Sequence, residues 1–289
     1  LRVEEALVSS AVFERVLLVD SESGLGDTGA MILRVEEHVA YFSFCDDFGP
    51  MNLGNIFQFC NLVDEYLQQP EGNLLAVIPS AGAQSLTNAV FLLGTYMIMR
   101  LDLDLVVIRE RLEPFLGRVV EYKDVSPGKQ CFSLQVEDCW GGLQRAKRLG
   151  WVFFGPGGFD LEQYAHYDSA SNADLHEVVP GKLIAMQGPK DLHDDCDCGI
   201  MYRDIKFPDG SFSHREFSPA YYIDILQSFG VQAVVRLNAP KYSAQTFIDA
   251  GIAVAELAFD DCTPPPPDVV ARFLALAEAV PGALAVHCK

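Results

Sequence analysis

Apolar positions along the chain fall into two kinds of run, and the alternation between them predicts the fold. Leu74–Ile78, Val231–Leu237, Ile252–Leu257 and Ala283–Val286 are short, nearly continuous apolar stretches bounded by turn residues, the pattern of strands buried on both faces. Between them the spacing becomes helical. Leu53–Leu67 places Ile56, Phe57, Cys60, Leu62, Val63 and Leu67 largely on one face. Further helices are predicted over Ala89–Met99, from Leu105 to Glu113, over Asp160–Tyr167, from Ser218 to Phe229, over Tyr242–Ala250 and over Pro267–Ala279. Asp160 caps the Asp160–Tyr167 helix, and Leu161, Tyr164 and Tyr167 share one of its faces. Ala40–Phe44 reads as a strand, as does the stretch to Met186 that follows the Pro180-Gly181 turn. Residues 1–38 carry the apolar clusters Val12-Phe13, Val16–Val19 and Ala30–Leu33 around a loop at 21–27. Strands alternating with helices imply an α/β fold with a parallel sheet.

The run Phe153-Phe154-Gly155-Pro156-Gly157-Gly158-Phe159 interrupts this order and marks a domain boundary. The expected organisation is a first domain over 1–157, a linker helix over 158–171 and a second domain over 172–289. A chain of 289 residues is long enough for two cores. The first domain repeats the local geometry of the last: strand Leu74–Ile78, a loop of about eight residues, then a helix from Ala89. That loop contains neither cysteine nor arginine, so it cannot run thiolate chemistry and this half is expected to be inert.

At the other end of the chain, Ala283–Val286 delivers His287 and Cys288 to the carboxyl end of a parallel strand, where ligands bind in open α/β sheets. A thiolate there, followed by loop amides and a helix N-terminus, is a phosphate-cradling nucleophile. Such chemistry also needs an acid for the leaving oxygen, and Asp260 and Asp261 lie on the loop before the last helix. Spacing alone leaves the choice between them open. It also leaves open an inert buried cysteine and a solvated acidic helix start.

Charge narrows the partners. The net charge is −19 with 21% charged residues, which excludes nonspecific nucleic-acid binding and favours basic peptides. Eight cysteines without a regular framework read as reduced intracellular thiols. The most apolar stretch, Ala89–Met99, ends at Arg100 and is far short of the roughly 20 residues a membrane span needs, so no membrane insertion is expected. His193-Asp194-Asp195-Cys196-Asp197-Cys198 offers zinc-like ligands, but Cys-x-Cys lacks zinc-finger spacing and no second ligand pair follows. It is read as an acidic surface insertion, with no metal. Asp47-Phe48-Gly49-Pro50 lacks the companions of a kinase magnesium motif and is read as a turn before a helix.

Several motifs carry a resemblance. Ala285-Val286-His287-Cys288-Lys289, Val234–Asn238 (Val-Val-Arg-Leu-Asn), Phe247–Gly251, Val179–Lys182, Gly188-Pro189 and Asp47–Leu53, in order along most of the chain, are similar to the cell-division-cycle-fourteen family of dual-specificity phosphatases. The resemblance implies two tandem phosphatase-like α/β domains joined by a linker helix, the first without catalytic residues. It implies Cys288 as nucleophile and Asp261 as general acid, because Asp261 lies 27 residues before Cys288, the family's interval. Lys289, beside the nucleophile, is a further substrate-binding position. Asp168 and Asp174 match carboxylates of a family groove for basic peptides, and Ala165 stands where a third would be.

The implied substrates are phosphoproteins, favouring phosphoserine before proline with a basic residue nearby, with no cofactor or metal. The implied addresses are nucleus or cytoplasm, including centrosome, spindle and cilium, with cytoskeletal or ciliary proteins among the partners. The family's loop continues Ala-Gly-Leu-Gly-Arg-Thr, whereas this chain runs from Leu1 to Lys289. It is therefore expected to be an internal piece of a longer polypeptide, inactive by itself. The alternative is a catalytically silent phosphatase-fold scaffold or docking protein in a cytoskeletal or ciliary assembly.

Overall fold

The computed structural model describes residues 9–19, 25, 29–43, 46–69, 74–125, 133–192, 199–261 and 263–288. The chain is mixed α/β and divides into two compact units, residues 1–159 and 160–289.

In the first unit β1 (Ser9–Phe13) and β2 (Val16–Val19) form an antiparallel hairpin. β3 (Met31–Arg34), α1 (Leu53–Leu67), β4 (Leu75–Ile78), α2 (Ala83–Met99), α3 (Leu105–Leu116) and α4 (Val136–Arg148) follow. The sheet order is β1-β2-β4-β3, with β4 parallel to both β2 and β3. Asn52 caps α1 by accepting from the Asn55 amide at 2.9 Å, and Ile56, Phe59, Cys60 and Val63 form its buried face. α2 is buried on every side from Leu86 to Met99, which is why its sequence shows no polar face there.

Trp140 of α4 lies against Gly94 of α2 so closely that a Cβ at Gly94 would stand 2.2 Å from the indole. Its Nε1–H donates to the Phe91 carbonyl at 3.0 Å. Trp140→Ala would leave a large cavity and is expected to destabilise the first unit by about 3–5 kcal/mol. The denaturation midpoint of that unit measures this, and an unmoved midpoint would show that α4 contributes little.

The second unit runs α5 (Leu161–Asp168), β5 (Leu175–Val179), β6 (Leu183–Met186), β7 (Tyr202–Lys206), β8 (Phe212–Phe217), α6 (Pro219–Ser228), β9 (Val231–Arg236), α7 (Gln245–Asp249), β10 (Ala253–Glu256), α8 (Pro267–Ala279) and β11 (Ala283–His287). Its main sheet has the order β10-β9-β11-β6-β5, in which β5 alone is antiparallel. β11 is therefore paired on both edges, and Ala283, Leu284 and Ala285 are fully buried. β7 and β8 form a separate two-stranded ribbon.

The structure corrects three expectations. Residues 40–43 are not a strand: Tyr41 instead donates through its hydroxyl to Asp47, and the Ala40 carbonyl accepts from the Asn55 side chain. The helix expected from Ala89 begins at Ala83, so the turn after β4 spans only 79–82. Its first turns contain Gln84, Ser85, Thr87 and Asn88, and Thr87 satisfies its hydroxyl on the Ala83 carbonyl at 2.7 Å. The helix expected over Tyr242–Ala250 covers only Gln245–Asp249, because Tyr242 is turned inward to the site described next.

Candidate active site

β9, β10 and β11 run in parallel, so their carboxyl ends share one edge of the sheet. Cys288 follows β11 directly and is exposed, while His287 before it is buried. The His287 ring is held at both nitrogens: Nδ1 is 2.9 Å from the Cys288 carbonyl and Nε2 is 2.9 Å from the Tyr242 hydroxyl. A carbonyl only accepts, so Nδ1 carries the proton and the Tyr242 hydroxyl donates to Nε2. Burial holds the imidazole below its ordinary pKa and so keeps it neutral in this tautomer.

Tyr242 is fixed in turn by Arg236, which is 3% exposed. Arg236 donates to the Tyr242 carbonyl at 2.6 Å, sits 4.5 Å from the Tyr242 ring centre and pairs with Glu256 at the end of β10. The backbone connecting the cysteine is thus pinned by a chain of side chains from β9, β10 and the turn before α7.

The His287 ring also has a stability consequence. Its folded pKa lies below the unfolded value of 6.5, so the unfolded chain binds a proton more readily. This contribution is fully present above pH 6.5 and is lost as pH falls through the folded pKa. Unfolding midpoints measured from pH 7.5 downward should decline below that point, and His287→Gln should flatten that limb.

The loop after β10 carries Asp260 and Asp261, both exposed. It is stitched to the cysteine strand beyond the ends of the ladders. The Leu237 amide donates to the His287 carbonyl at 2.9 Å, and the Phe259 amide donates to the Leu237 carbonyl at 3.2 Å. The Thr263 hydroxyl closes the following turn on the Asp260 carbonyl at 2.6 Å. Cys288 and Asp261 therefore stand on the same sheet edge, on β11 and on the loop leaving β10, with β9 between them.

Asp168 ends α5 and Asp174 precedes β5, with His176 of β5 beside both. His176 Nε2 is 3.3 Å from Asp168 Oδ1. Burial raises the Asp174 pKa, His176 lowers it and the Asp168 charge raises it again. Asp174 has a left-handed backbone (φ 48°), unusual outside glycine. The segment before it is clamped: the Ser171, Asn172 and Ala173 carbonyls accept from Arg215 at 2.8 Å, Tyr221 at 2.5 Å and Tyr222 at 2.7 Å. Arg215 is itself fixed by a bidentate pair with Asp204 and by the Tyr202 ring 3.8 Å away. Ala165 lies on the same helix, α5.

In the first unit the turn at 79–82 and the start of α2 line a cleft of about 380 Å³ with Gly117 and Arg118. The turn has no cysteine, and the Ser80 amide already donates to the Glu36 carboxylate at 2.9 Å. An arginine does line this cleft, though it comes from the segment after α3 and not from the loop itself. The buried thiol of Cys60 on α1 is pushed up to about 12, which makes it a poor nucleophile.

Lys289 and the 193–198 stretch with the zinc-like ligands lie outside the described residues. Among the described residues, no group of three or more His, Cys, Asp or Glu is placed to hold a metal ion, and no helix is long and apolar enough to cross a membrane. The sequence reading missed Tyr242, Glu256 and His176. Tyr242 and His287 are 45 residues apart, so only the topology brings them together. Arg236 had a signal, since it is the charged residue inside the apolar run Val231–Leu237.

A family model described as dual specificity protein phosphatase, N-terminal half, matches residues 15–146. The chain is 29% identical over 257 residues to the dual specificity protein phosphatase CDC14C of Homo sapiens, covering 88% of this chain and 54% of that protein. It is 30% identical over 258 residues to the human dual specificity protein phosphatase CDC14A, covering 88% and 41%. It is 29% identical over 269 residues to the tyrosine-protein phosphatase CDC14 of Saccharomyces cerevisiae, covering 91% and 46%. The chain spans about half the length of these curated relatives. Over most of its length the chain is thus similar to the CDC14-type dual specificity phosphatases, and its first half matches their N-terminal family model.

Proposed function

We propose that the full-length protein is a cysteine-dependent dual-specificity protein phosphatase. Its second unit is the catalytic domain and its first an inert phosphatase-like domain. The observation that supports this best is the exposed Cys288 at the carboxyl end of β11, beside a buried histidine that hydrogen-bonds its carbonyl. In the first step the Cys288 thiolate forms a bond to phosphorus as the phosphorus–oxygen bond to the substrate breaks, and Asp261 gives its proton to the departing oxygen. In the second, Asp261 takes a proton from water as the water oxygen attacks phosphorus. Inorganic phosphate leaves and the thiolate is restored.

Phosphoserine before proline with a basic residue beyond is the proposed preferred site, and phosphothreonine and phosphotyrosine are also hydrolysed. Asp168 and Asp174 supply the negative charge that meets the basic residue. Each partly exposed pairing should contribute about 0.2–1 kcal/mol.

Steady-state phosphate release by the full-length protein tests the reading. Asp168→Asn with Asp174→Asn should lower kcat/KM for a basic phosphopeptide several-fold and affect a small aryl phosphate far less. Equal losses on both substrates would mean that these aspartates support the fold or the chemistry and not peptide recognition. Absence of turnover on either substrate by the full-length parent would instead favour the scaffold.

A further inference from the structure

The two groove aspartates do not face solvent as a bare pair of negative charges. His176 Nε2 lies 3.3 Å from Asp168 Oδ1, and its charge also acts on Asp174. The two side chains of the contact are 37% and 34% exposed, open enough for an incoming peptide to compete for the carboxylate. The Tyr164 ring stands 5.7 Å from the imidazole and walls its side. Cations on the surrounding elements are engaged elsewhere. Arg215 holds Asp204 and the Ser171 carbonyl, Lys182 donates to the Val280 carbonyl at 2.5 Å, and Lys190 is paired with Glu216. On α5, His166 faces the Asn172 side chain. On β5, Glu177 accepts from the Gly181 amide.

We infer that His176 is a specificity-determining residue, an internal competitor that occupies the acidic pair and sets how strongly the protein selects a basic residue in its substrate. The inference rests on the proposed role of Asp168 and Asp174. A protonated imidazole cancels one of the two negative charges and already fills the hydrogen-bonding position on Asp168, so a substrate Lys or Arg must displace it. A neutral imidazole leaves both charges to the substrate. The clamp on 171–173 holds the backbone that leads into Asp174.

The test uses the full-length protein and two phosphoserine-proline peptides that differ only in carrying lysine or norleucine after the proline. The quantity read is the ratio of their kcat/KM values. His176→Asn, which keeps a polar group without the charge, should raise the ratio about two- to fivefold, the range of a partly exposed ion pair. His176→Lys, which makes the internal charge permanent, should lower it by a similar factor. An unchanged ratio in His176→Asn, or no decrease in His176→Lys, overturns the assignment. Loss of turnover on both peptides alike overturns it too, by making His176 a support of the fold. Asp168→Asn with Asp174→Asn separates the two levels. If the aspartate variant lowers the ratio while the His176 variants do not move it, only the histidine's role fails. If the aspartate variant also leaves it unchanged, the groove itself is misassigned.

Discussion

Replacing Cys288 by serine in the full-length protein should reduce phosphate release from a phosphoserine-proline peptide by at least about 10³-fold, while the peptide still binds. The serine hydroxyl is nearly the same size as the thiol but stays protonated at neutral pH, so it would need a base to act as a nucleophile. The neighbouring His287 cannot serve, because its Nδ1–H is committed to the Cys288 carbonyl and its Nε2 to Tyr242. Binding should survive because the substitution leaves the His287–Tyr242–Arg236 chain intact. Calorimetric titration with the peptide and a phosphate-release assay read the two halves separately. Release within about tenfold of the parent would remove Cys288 from the mechanism.

The second large effect is expected at Asp261. Asp261→Asn should slow hydrolysis of the phosphoserine peptide by about 10²–10⁴-fold, the usual contribution of a general acid. A serine alkoxide is a poor leaving group and needs the proton. A nitrophenolate is not, so p-nitrophenyl phosphate should lose much less. Asp260→Asn is the internal control: the Asp260 carbonyl holds the Thr263 turn, but its carboxylate has no assigned part. A larger loss from Asp260→Asn than from Asp261→Asn would transfer the acid role to the neighbour. The ratio of losses on the two substrates distinguishes an acid from a residue that merely shapes the loop.

What the sequence showed depended on whether a residue's partner lies nearby along the chain. α1 was legible because one apolar face runs along its length. β11 and α8 were legible because a buried strand and an amphipathic helix each carry their own period. α2 was found but started too late, since only its wholly buried part is apolar and its polar first turns look like loop. Ala40–Phe44 has strand-like residues, but its described part, 40–43, belongs to none of the strands of the first sheet. The β7–β8 ribbon escaped notice because most of β7 is exposed, so no alternation of burial marks it. At the site, the place of Cys288 after β11 and of Asp261 on the loop before α8 followed from reading strands that alternate with helices. The Tyr242 and Arg236 support did not, because it joins groups brought together only by the sheet order. His176 gave no signal, as a histidine beside a strand start is ordinary until its neighbours across space are known.

The clamp on the segment before Asp174 addresses backbone carbonyls, not side chains. Arg215, Tyr221 and Tyr222 would therefore grip almost any sequence at 171–173 that fits the space. Ser171 is free to drift in evolution, whereas Ala173 is fully buried and constrained in size. Sequence variation across orthologues should accordingly be greater at Ser171 than at the gripping residues. A search for the determinants of the Asp174 geometry would then find them some forty residues downstream, on β8 and α6, rather than beside Asp174.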